Sequence, residues 1–162
     1  MTLLEKVLTE KDKGNNYLKE GNYKEAETIY KNIINEIESA PNEEKEKKEI
    51  KEQYKFVLSN LALTLNKLNK RDESMKYDRI IIKKVDKSFG KSYARLILGY
   101  LNNNKLAMAR YHYDMMKMNV SQDIIDKFPE VTEKLKNTSS ESDQMASGMM
   151  GLLQMLKASQ NK

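Results

Sequence analysis

KGNNYLKEGNYKEAETIY, residues 13–30, carries the strongest structural signal in this sequence. It divides at Gly21 into two runs of helix-forming residues, and the apolar residues of the second run recur at steps of three and four. Gly14 leaves room for two helices to approach closely, and Tyr17 and Tyr30 are large enough to fill the groove between them. The stretch therefore predicts a helical hairpin.

The same periodicity continues along the chain and predicts seven helices. The first six are expected at residues 3–18, 23–39, 50–68, 73–85, 89–101 and 105–118. Ser121 is a suitable N-cap for the seventh helix, and Pro129 lies inside that helix and is expected to kink or divide it.

The charged run NEEKEKKEIKE, residues 42–52, separates the first hairpin from the next helix. We expect a solvated helical extension stabilised by Glu–Lys pairs four residues apart, each contributing ~0.2–0.5 kcal/mol. Acidic and basic residues alternate in this run, so we do not expect it to bind nucleic acid.

Composition excludes several classes of function. The 162 residues carry a formal net charge of +5 and include no cysteine, so disulfides, thiolate metal sites and cysteine nucleophiles are excluded. The single histidine, His112, is expected to be a partly exposed helix residue without a catalytic or metal-binding role. No apolar run approaches the ~20 residues that span a bilayer, and the N-terminus lacks an apolar signal segment. We therefore expect a cytoplasmic, non-enzymatic protein that needs no cofactor or metal.

Three helix pairs followed by a capping helix are the pattern of an all-α solenoid. The hairpin at residues 13–30 resembles the tetratricopeptide repeat, a 34-residue helix–turn–helix unit, and two further stretches resemble it less closely. The residues that carry the resemblance are Gly14, Tyr17, Gly21, Ala26 and Tyr30 in the first repeat, Ala62 in the second, and Tyr93, Tyr100, Ala109 and Tyr113 in the third. The resemblance covers residues 4–136.

Five polar residues lie on the first helices of these pairs. Lys11 and Asn15 are four residues apart and share a helix face, as do Lys91 and Arg95, and Asn60 lies on the helix between them. The first helices of successive pairs line the concave surface of such a solenoid, so the five side chains are expected to converge in one groove. Ammonium, guanidinium and amide donors together suit two closely spaced carboxylates.

This set resembles the carboxylate clamp of co-chaperone tetratricopeptide domains. Such domains hold the C-terminal Glu-Glu-Val-Asp tail of the 90- and 70-kilodalton heat-shock chaperones. The resemblance implies that Lys11, Asn15 and Asn60 hold the terminal main-chain carboxylate. It also implies that Lys91 binds the terminal aspartate side chain and that Arg95 binds the peptide backbone or an upstream acidic group.

Two spacings depart from the minimal repeat. The charged run lengthens the first repeat. In this respect the chain resembles the tetratricopeptide domains of large immunophilins. The interval from Asn60 to Lys91 is about one residue longer than usual, and the extra residue is expected in the loop at residues 85–88.

Beyond the repeats the composition changes. We predict a repeat domain with its capping helix at residues 1–136, a flexible linker at 137–147 and an apolar, methionine-rich helical tail at 148–162. The apolar residues of the tail are Met149, Met150, Leu152, Leu153, Met155 and Leu156. They are expected either to fold back on the solenoid, or to bind a partner's groove or a second copy of the chain.

The sequence therefore predicts a co-chaperone or adaptor that docks on the C-terminal peptide of the 90-kilodalton or 70-kilodalton chaperone, without nucleic-acid or membrane binding. Two alternatives remain. One is the chaperone-docking module of a peptidyl-prolyl isomerase whose catalytic domain would precede this chain. The other is a tetratricopeptide scaffold for a different acidic C-terminus.

Overall fold

The computed structural model describes the backbone of residues 1–160 and the side chains of residues 1–138 and 148–160. This part of the chain is helical, without strands, and so confirms the predicted all-α class. The helices are α1 (Leu3–Lys19), α2 (Tyr23–Ser39), α3 (Asn42–Lys45), α4 (Lys48–Lys67), α5 (Arg71–Ile80), α6 (Gly90–Asn102), α7 (Leu106–Asn119), α8 (Gln122–Ile125) and α9 (Pro129–Gln160). A π-helical segment, Ile81–Val85, continues α5.

Three hairpins, α1–α2, α4–α5 and α6–α7, pack in sequence order. The second helix of each hairpin contacts the first helix of the next hairpin, and α9 packs against α6 and α7. One apolar cluster joins the first hairpin to α4, and a second joins α5 to the third hairpin and α9. Stacked hairpins with a capping helix confirm the predicted α-solenoid.

The turns inside the three hairpins share one geometry. Gly21, Asn69 and Asn104 hold equivalent places after α1, α4 and α6, and have φ angles of 80°, 60° and 58°. In each turn the next residue's N–H donates to the carbonyl five positions earlier at 2.8 Å. This is the hydrogen bond of a Schellman cap, which ends a helix at a left-handed residue, usually glycine or asparagine. The structural repeat is therefore visible in the backbone as well as in the apolar spacing.

Close contact between α1 and α2 depends on Gly14. A Cβ atom at this position would lie 2.7 Å from Cε1 of Tyr30, whose side chain is fully buried. The missing side chain of Gly14 therefore makes the space that the Tyr30 ring occupies.

The charged run does not form one continuous helical extension, and this prediction is wrong. Helix α3 ends at Lys45, and Lys47 has an extended backbone with ψ of 137° before α4 begins. Ile50 is 2% exposed, so the start of α4 is held by burial of this side chain against the first hairpin. The chain has to turn before α4 in order to place Ile50 there.

The additional residue between Asn60 and Lys91 is absorbed within a helix rather than in the loop that the sequence indicated. The π-helical segment Ile81–Val85 ends with the N–H of Asp86 donating to the carbonyl of Ile81, five residues earlier, at 2.8 Å. A π-helical turn holds one more residue than an α-helical turn, so an insertion can be accommodated without moving the helices on either side.

Pro129 divides the predicted seventh helix, as expected. The short helix α8 precedes it, and α9 begins at Pro129. Proline has no N–H to donate, and the first residue of a helix does not need one, so no helical hydrogen bond is lost. Val131 and Leu135 are buried against the third hairpin and make the first turns of α9 the capping element.

The backbone of residues 137–147 is helical within α9, where the composition predicts a flexible linker. The six apolar tail residues are 52–72% exposed, so they do not fold back on the solenoid. The division of the chain into domain, linker and tail stays a prediction, and residues 161–162 lie outside the described range. None of the helices within residues 1–160 is both long and apolar enough to cross a membrane.

Substitution of Gly14 by valine tests the contact between α1 and α2. We expect Gly14→Val to lower the free energy of unfolding by about 1–3 kcal/mol, because the new side chain would overlap the buried Tyr30 ring. Chemical denaturation followed by circular dichroism measures this change.

The matched control is Gly151→Val, also within a helix, where nothing lies within 4 Å of an added Cβ atom. We expect its effect to stay within about 0.5 kcal/mol. Equal losses of stability in the two variants would show that Gly14 is not a packing constraint.

Candidate peptide-binding site

The five residues singled out in the sequence lie on α1, α4 and α6, the first helices of the three hairpins. Lys11 and Asn15 lie on α1, Asn60 on α4, and Lys91 and Arg95 on α6. Hydrogen bonds connect these helices directly. The side chains of Asn15 and Asn60 are bonded to each other, and Arg95 reaches back to α4.

The two asparagines are joined at one amide oxygen. Oδ1 of Asn15 accepts from Nδ2 of Asn60 at 3.0 Å and from the hydroxyl of Tyr30 at 2.6 Å. Burial raises the pKa of Tyr30 to about 12, so its hydroxyl stays protonated and donates. The oxygen of Asn15 is thus committed to the protein, and its Nδ2 group has no hydrogen-bond partner among the described residues. The two N–H donors of Nδ2 are therefore not used by the described part of the protein.

Lys11 has no acidic partner among the residues whose side chains the structure describes. Its Nζ donates to Oε1 of Gln53, an uncharged partner on α4, and lies 5.8 Å from the centroid of the Phe56 ring. The Lys11 side chain is partly buried, and these contacts hold its ammonium group against α4.

The charge of Arg95 is neutralised by a carboxylate that the sequence analysis missed. Its Nε donates to Oδ2 of Asp78 at 2.9 Å and its Nη2 donates to Oδ1 at 2.8 Å. Nη2 also donates to Oγ of Ser59 at 2.8 Å, and Oγ of Ser92 donates to Asp78 at 2.8 Å. Burial raises the pKa of the fully buried Asp78, whereas the hydrogen bonds from Arg95 and Ser92 act against that rise.

Lys91, one turn before Arg95, is exposed and forms no hydrogen bond or ion pair within the part of the chain that the structure describes. A neighbouring cation, Lys55, is instead paired with Asp86 at 3.1 Å. Lys55 also lies 5.2 Å from the ring centroids of both Phe56 and Phe89, which fixes its position. Lys91 is therefore an exposed ammonium group of α6 that has no partner among the described residues.

Sequence reasoning missed Asp78, although a signal for it was present. Asp78 stands three residues after Met75 and three before Ile81, both buried, so its spacing places a carboxylate on the apolar face of its helix. A charged residue at such a position needs a partner. Its identity, Arg95, depends on the packing of α5 against α6 and could not be read from spacing alone.

His112 is buried rather than partly exposed, so that expectation is wrong. Its ring lies 4.9 Å from the Tyr100 ring, and Nδ1 is 2.9 Å from the carbonyl oxygen of Met108. Burial lowers the pKa of His112, so the imidazole is held neutral as part of the packing between α6 and α7. Among the described residues, no cluster of three or more histidine, aspartate or glutamate side chains could hold a metal ion.

Solved structures with the same fold include two tetratricopeptide-repeat domains. One is the first TPR domain of Spaghetti (RPAP3) bound to the HSP90 peptide SRMEEVD, at 21% identity and a TM-score of 0.63, covering 86% of this chain and 94% of that chain. The other is the C-terminal TPR-containing domain of a Plasmodium falciparum protein described as an FK506-binding protein. It has 20% identity and a TM-score of 0.63, and covers 85% of this chain and 93% of that chain. This likeness confirms the tetratricopeptide fold.

No protein-family model matches the sequence, and no curated protein matches it.

Stability measurements distinguish the buried ion-pair partner of α6, Arg95, from its exposed cation, Lys91. We expect Arg95→Met to lower the free energy of unfolding by about 3–5 kcal/mol, because Asp78 would then be a buried carboxylate without its ionic partner. The measurement is urea denaturation at neutral pH.

Lys91→Met removes the same charge from the same helix and serves as the control. Its effect should stay within about 0.5 kcal/mol, because the ammonium group is exposed. If the two variants proved equally stable, Arg95 would be a surface residue and the pairing with Asp78 would be refuted.

Proposed function

We propose that this chain is a non-enzymatic, cytoplasmic adaptor that binds the acidic C-terminal tail of a 90- or 70-kilodalton heat-shock chaperone. The observation that carries the proposal is the hydrogen-bonded pair Asn15 and Asn60, together with the ammonium groups of Lys11 and Lys91, which have no acidic partner among the described residues. These donors come from three helices and suit two carboxylates. A structure of the same fold bound to an HSP90 peptide supports the proposal.

Each residue has a role that its contacts permit. The free Nδ2 of Asn15, together with Asn60 and Lys11, holds the main-chain carboxylate of the terminal residue. Lys91 holds the side-chain carboxylate of a terminal aspartate, because its ammonium group is open to a ligand. Arg95 contacts the ligand further upstream with the part of its guanidinium that Asp78 does not use.

Moderate affinity is expected. Each charge-assisted hydrogen bond contributes ~1.5–3 kcal/mol, whereas a flexible peptide loses conformational entropy when it is held extended. The balance corresponds to a dissociation constant on the order of micromolar, or about −8 kcal/mol. Binding should weaken as salt is added, because the lysine contacts are exposed and screened.

Two alternatives keep the same site. The chain could serve as the docking module of a peptidyl-prolyl isomerase, which is favoured by its likeness to the TPR-containing domain of a protein described as an FK506-binding protein. It could also bind another acidic C-terminus. The tail residues Met149, Met150, Leu152, Leu153, Met155 and Leu156 are proposed to bind a partner or a second copy, because they are exposed.

Calorimetry with an acidic peptide and its C-terminal amide tests the proposed function. We expect the peptide Ser-Arg-Met-Glu-Glu-Val-Asp to bind with a dissociation constant on the order of micromolar. Its amide should bind at least about tenfold more weakly, since the asparagine pair and Lys11 lose a charged acceptor. Equal affinities for acid and amide would rule out recognition of a terminal carboxylate.

The variant Lys91→Ala should weaken binding of the acid by at least about tenfold. Lys24→Ala, which removes an exposed lysine from α2, should leave it unchanged and controls for net charge. A peptide that bound both variants with the same affinity would not be using Lys91.

A further inference from the structure

Two helices carry large apolar side chains that face solvent. In the tail of α9, the six apolar residues between positions 149 and 156 are 52–72% exposed. On α7, three more are exposed, namely Met108 at 41%, Tyr111 at 57% and Met118 at 79%. Both surfaces are rich in methionine, and no described side chain covers either of them. Exposed apolar surface of this kind marks a site of interaction.

In each helix the exposed residues form a stripe along one face. The tail stripe stands at positions i, i+3, i+4 and i+7 and consists of Met149, Leu152, Leu153 and Leu156. The α7 stripe stands at positions i, i+3, i+7 and i+10 and consists of Met108, Tyr111, Met115 and Met118, of which Met115 is partly buried. The buried residues of α7 are Ala109, His112 and Met116. They lie on the other side of the helix, so the α7 stripe points away from the core of its own hairpin.

The tail stripe cannot reach the α7 stripe of its own chain. Val131 is buried against the third hairpin, and α9 continues from there as one helix to Gln160. Because an α-helix rises about 1.5 Å per residue, Met149 lies about 27 Å along the axis from Val131, whereas α7 is only about 21 Å long. The helix therefore carries the tail stripe beyond its own hairpin, and the partner of each stripe has to come from another chain.

The two stripes match each other in chemistry. Residues 148–160 include one charged side chain, Lys157, so this part of the tail offers little to a charged partner. Methionine adapts to irregular apolar surfaces, and its sulfur makes favourable contacts with aromatic rings. On α7, the Tyr111 ring packs edge-on against the ring of His112, with 5.3 Å between the centroids. Tyr111 therefore presents an oriented aromatic surface on which Met149 can pack.

The buried area decides between two ways of pairing two copies. A half-exposed leucine or methionine can bury roughly 100 Å², so two tail stripes packed on each other would bury about 800 Å². This area is below the ~1,200–2,000 Å² of a stable interface, and such a pair leaves both α7 stripes exposed. Two reciprocal contacts, each between one tail stripe and one α7 stripe, bury about 1,500 Å² and leave neither stripe uncovered. Reciprocal pairing also closes with twofold symmetry, which limits the assembly to two copies.

We propose that this chain forms a symmetric dimer in which the tail stripe of each copy packs on the α7 stripe of the other. The inference develops the proposed contact of the tail with a second copy. It uses no residue of α1, α4 or α6, the helices that carry the candidate peptide site. The dimer therefore carries two peptide sites, and a partner with two acidic C-termini would bind more tightly than a single peptide. Only this last consequence rests on the proposed function.

Sedimentation equilibrium of the full chain tests the dimer. At about 100 μM we expect the wild type to show twice the 18.9 kDa mass of one chain, and to dissociate on dilution. Leu153→Glu and Met118→Glu should each weaken dimerisation by at least about tenfold, because either change places a charge in both contacts. Both residues are exposed, so neither change should unfold the chain. Gln154→Glu, on the other face of the tail, is the control and should leave dimerisation unchanged.

The dimer and the proposed function fail separately. A wild type that stays monomeric but binds Ser-Arg-Met-Glu-Glu-Val-Asp would overturn the dimer and keep the proposed function. A dimer that does not bind this peptide would do the reverse. A dimer that is disrupted by Leu153→Glu but not by Met118→Glu would also overturn the inference, since it would be held by the two tails alone.

Cross-linking distinguishes the reciprocal contact from pairing of the two tails. Because the chain has no cysteine, an engineered one reports on a single position. A mixture of the Met118→Cys and Leu153→Cys proteins, treated with a short bismaleimide, should give a covalent dimer with one copy of each, identified by mass spectrometry. The Leu153→Cys protein alone should give little covalent dimer. Equal yields from the mixture and from Leu153→Cys alone would overturn the reciprocal contact.

Discussion

The ion pair between Asp78 and Arg95 joins the second hairpin to the third, and the proposed site depends on this junction. Asp78 is fully buried on α5, Arg95 projects from α6, and its second contact, with Ser59, reaches α4. One guanidinium group therefore joins three helices of two hairpins. A buried charge is costly without a partner, so the pair constrains how the second hairpin meets the third.

The proposed site follows from that arrangement. The helices that Arg95 joins carry Asn60 and Lys91, and Asn60 is hydrogen-bonded to Asn15 of α1. Within the proposed site some polar groups are already bonded to the protein and others are open. The oxygen of Asn15 is used by Tyr30 and Asn60, and most of Arg95 is used by Asp78, whereas Lys91 is open. The protein's own contacts thus decide which donors a ligand can meet.

Much of the fold could be predicted from sequence because its signals are local. Apolar spacing located the hairpins, and the left-handed turn at Gly21 recurs at Asn69 and Asn104, residues that tolerate this conformation. Features that depend on distant contacts could not be predicted. The break before α4 is held by burial of Ile50. The extra residue before α6 is accommodated in a π-helical turn. The sequence could not distinguish this from a longer loop, because a loop and a helix can both absorb one residue.

The candidate site shows the same division. Residue type, helical spacing and the resemblance to the carboxylate clamp selected the five polar residues, and their role in binding stays a prediction. These signals could not show that Arg95 is paired from inside or that Tyr30 orients Asn15, because both contacts join residues brought together by packing. The burial of His112 against Tyr100 was missed for the same reason.

In the proposed complex, the amide groups of Asn15 and Asn60 bind the terminal carboxylate of an acidic peptide. Nuclear magnetic resonance observes these two side-chain amides directly in ¹⁵N-labelled protein titrated with Ser-Arg-Met-Glu-Glu-Val-Asp. We expect the Nδ2 signals of both residues to shift as the peptide binds. A peptide that bound while both signals stayed in place would contradict this proposal.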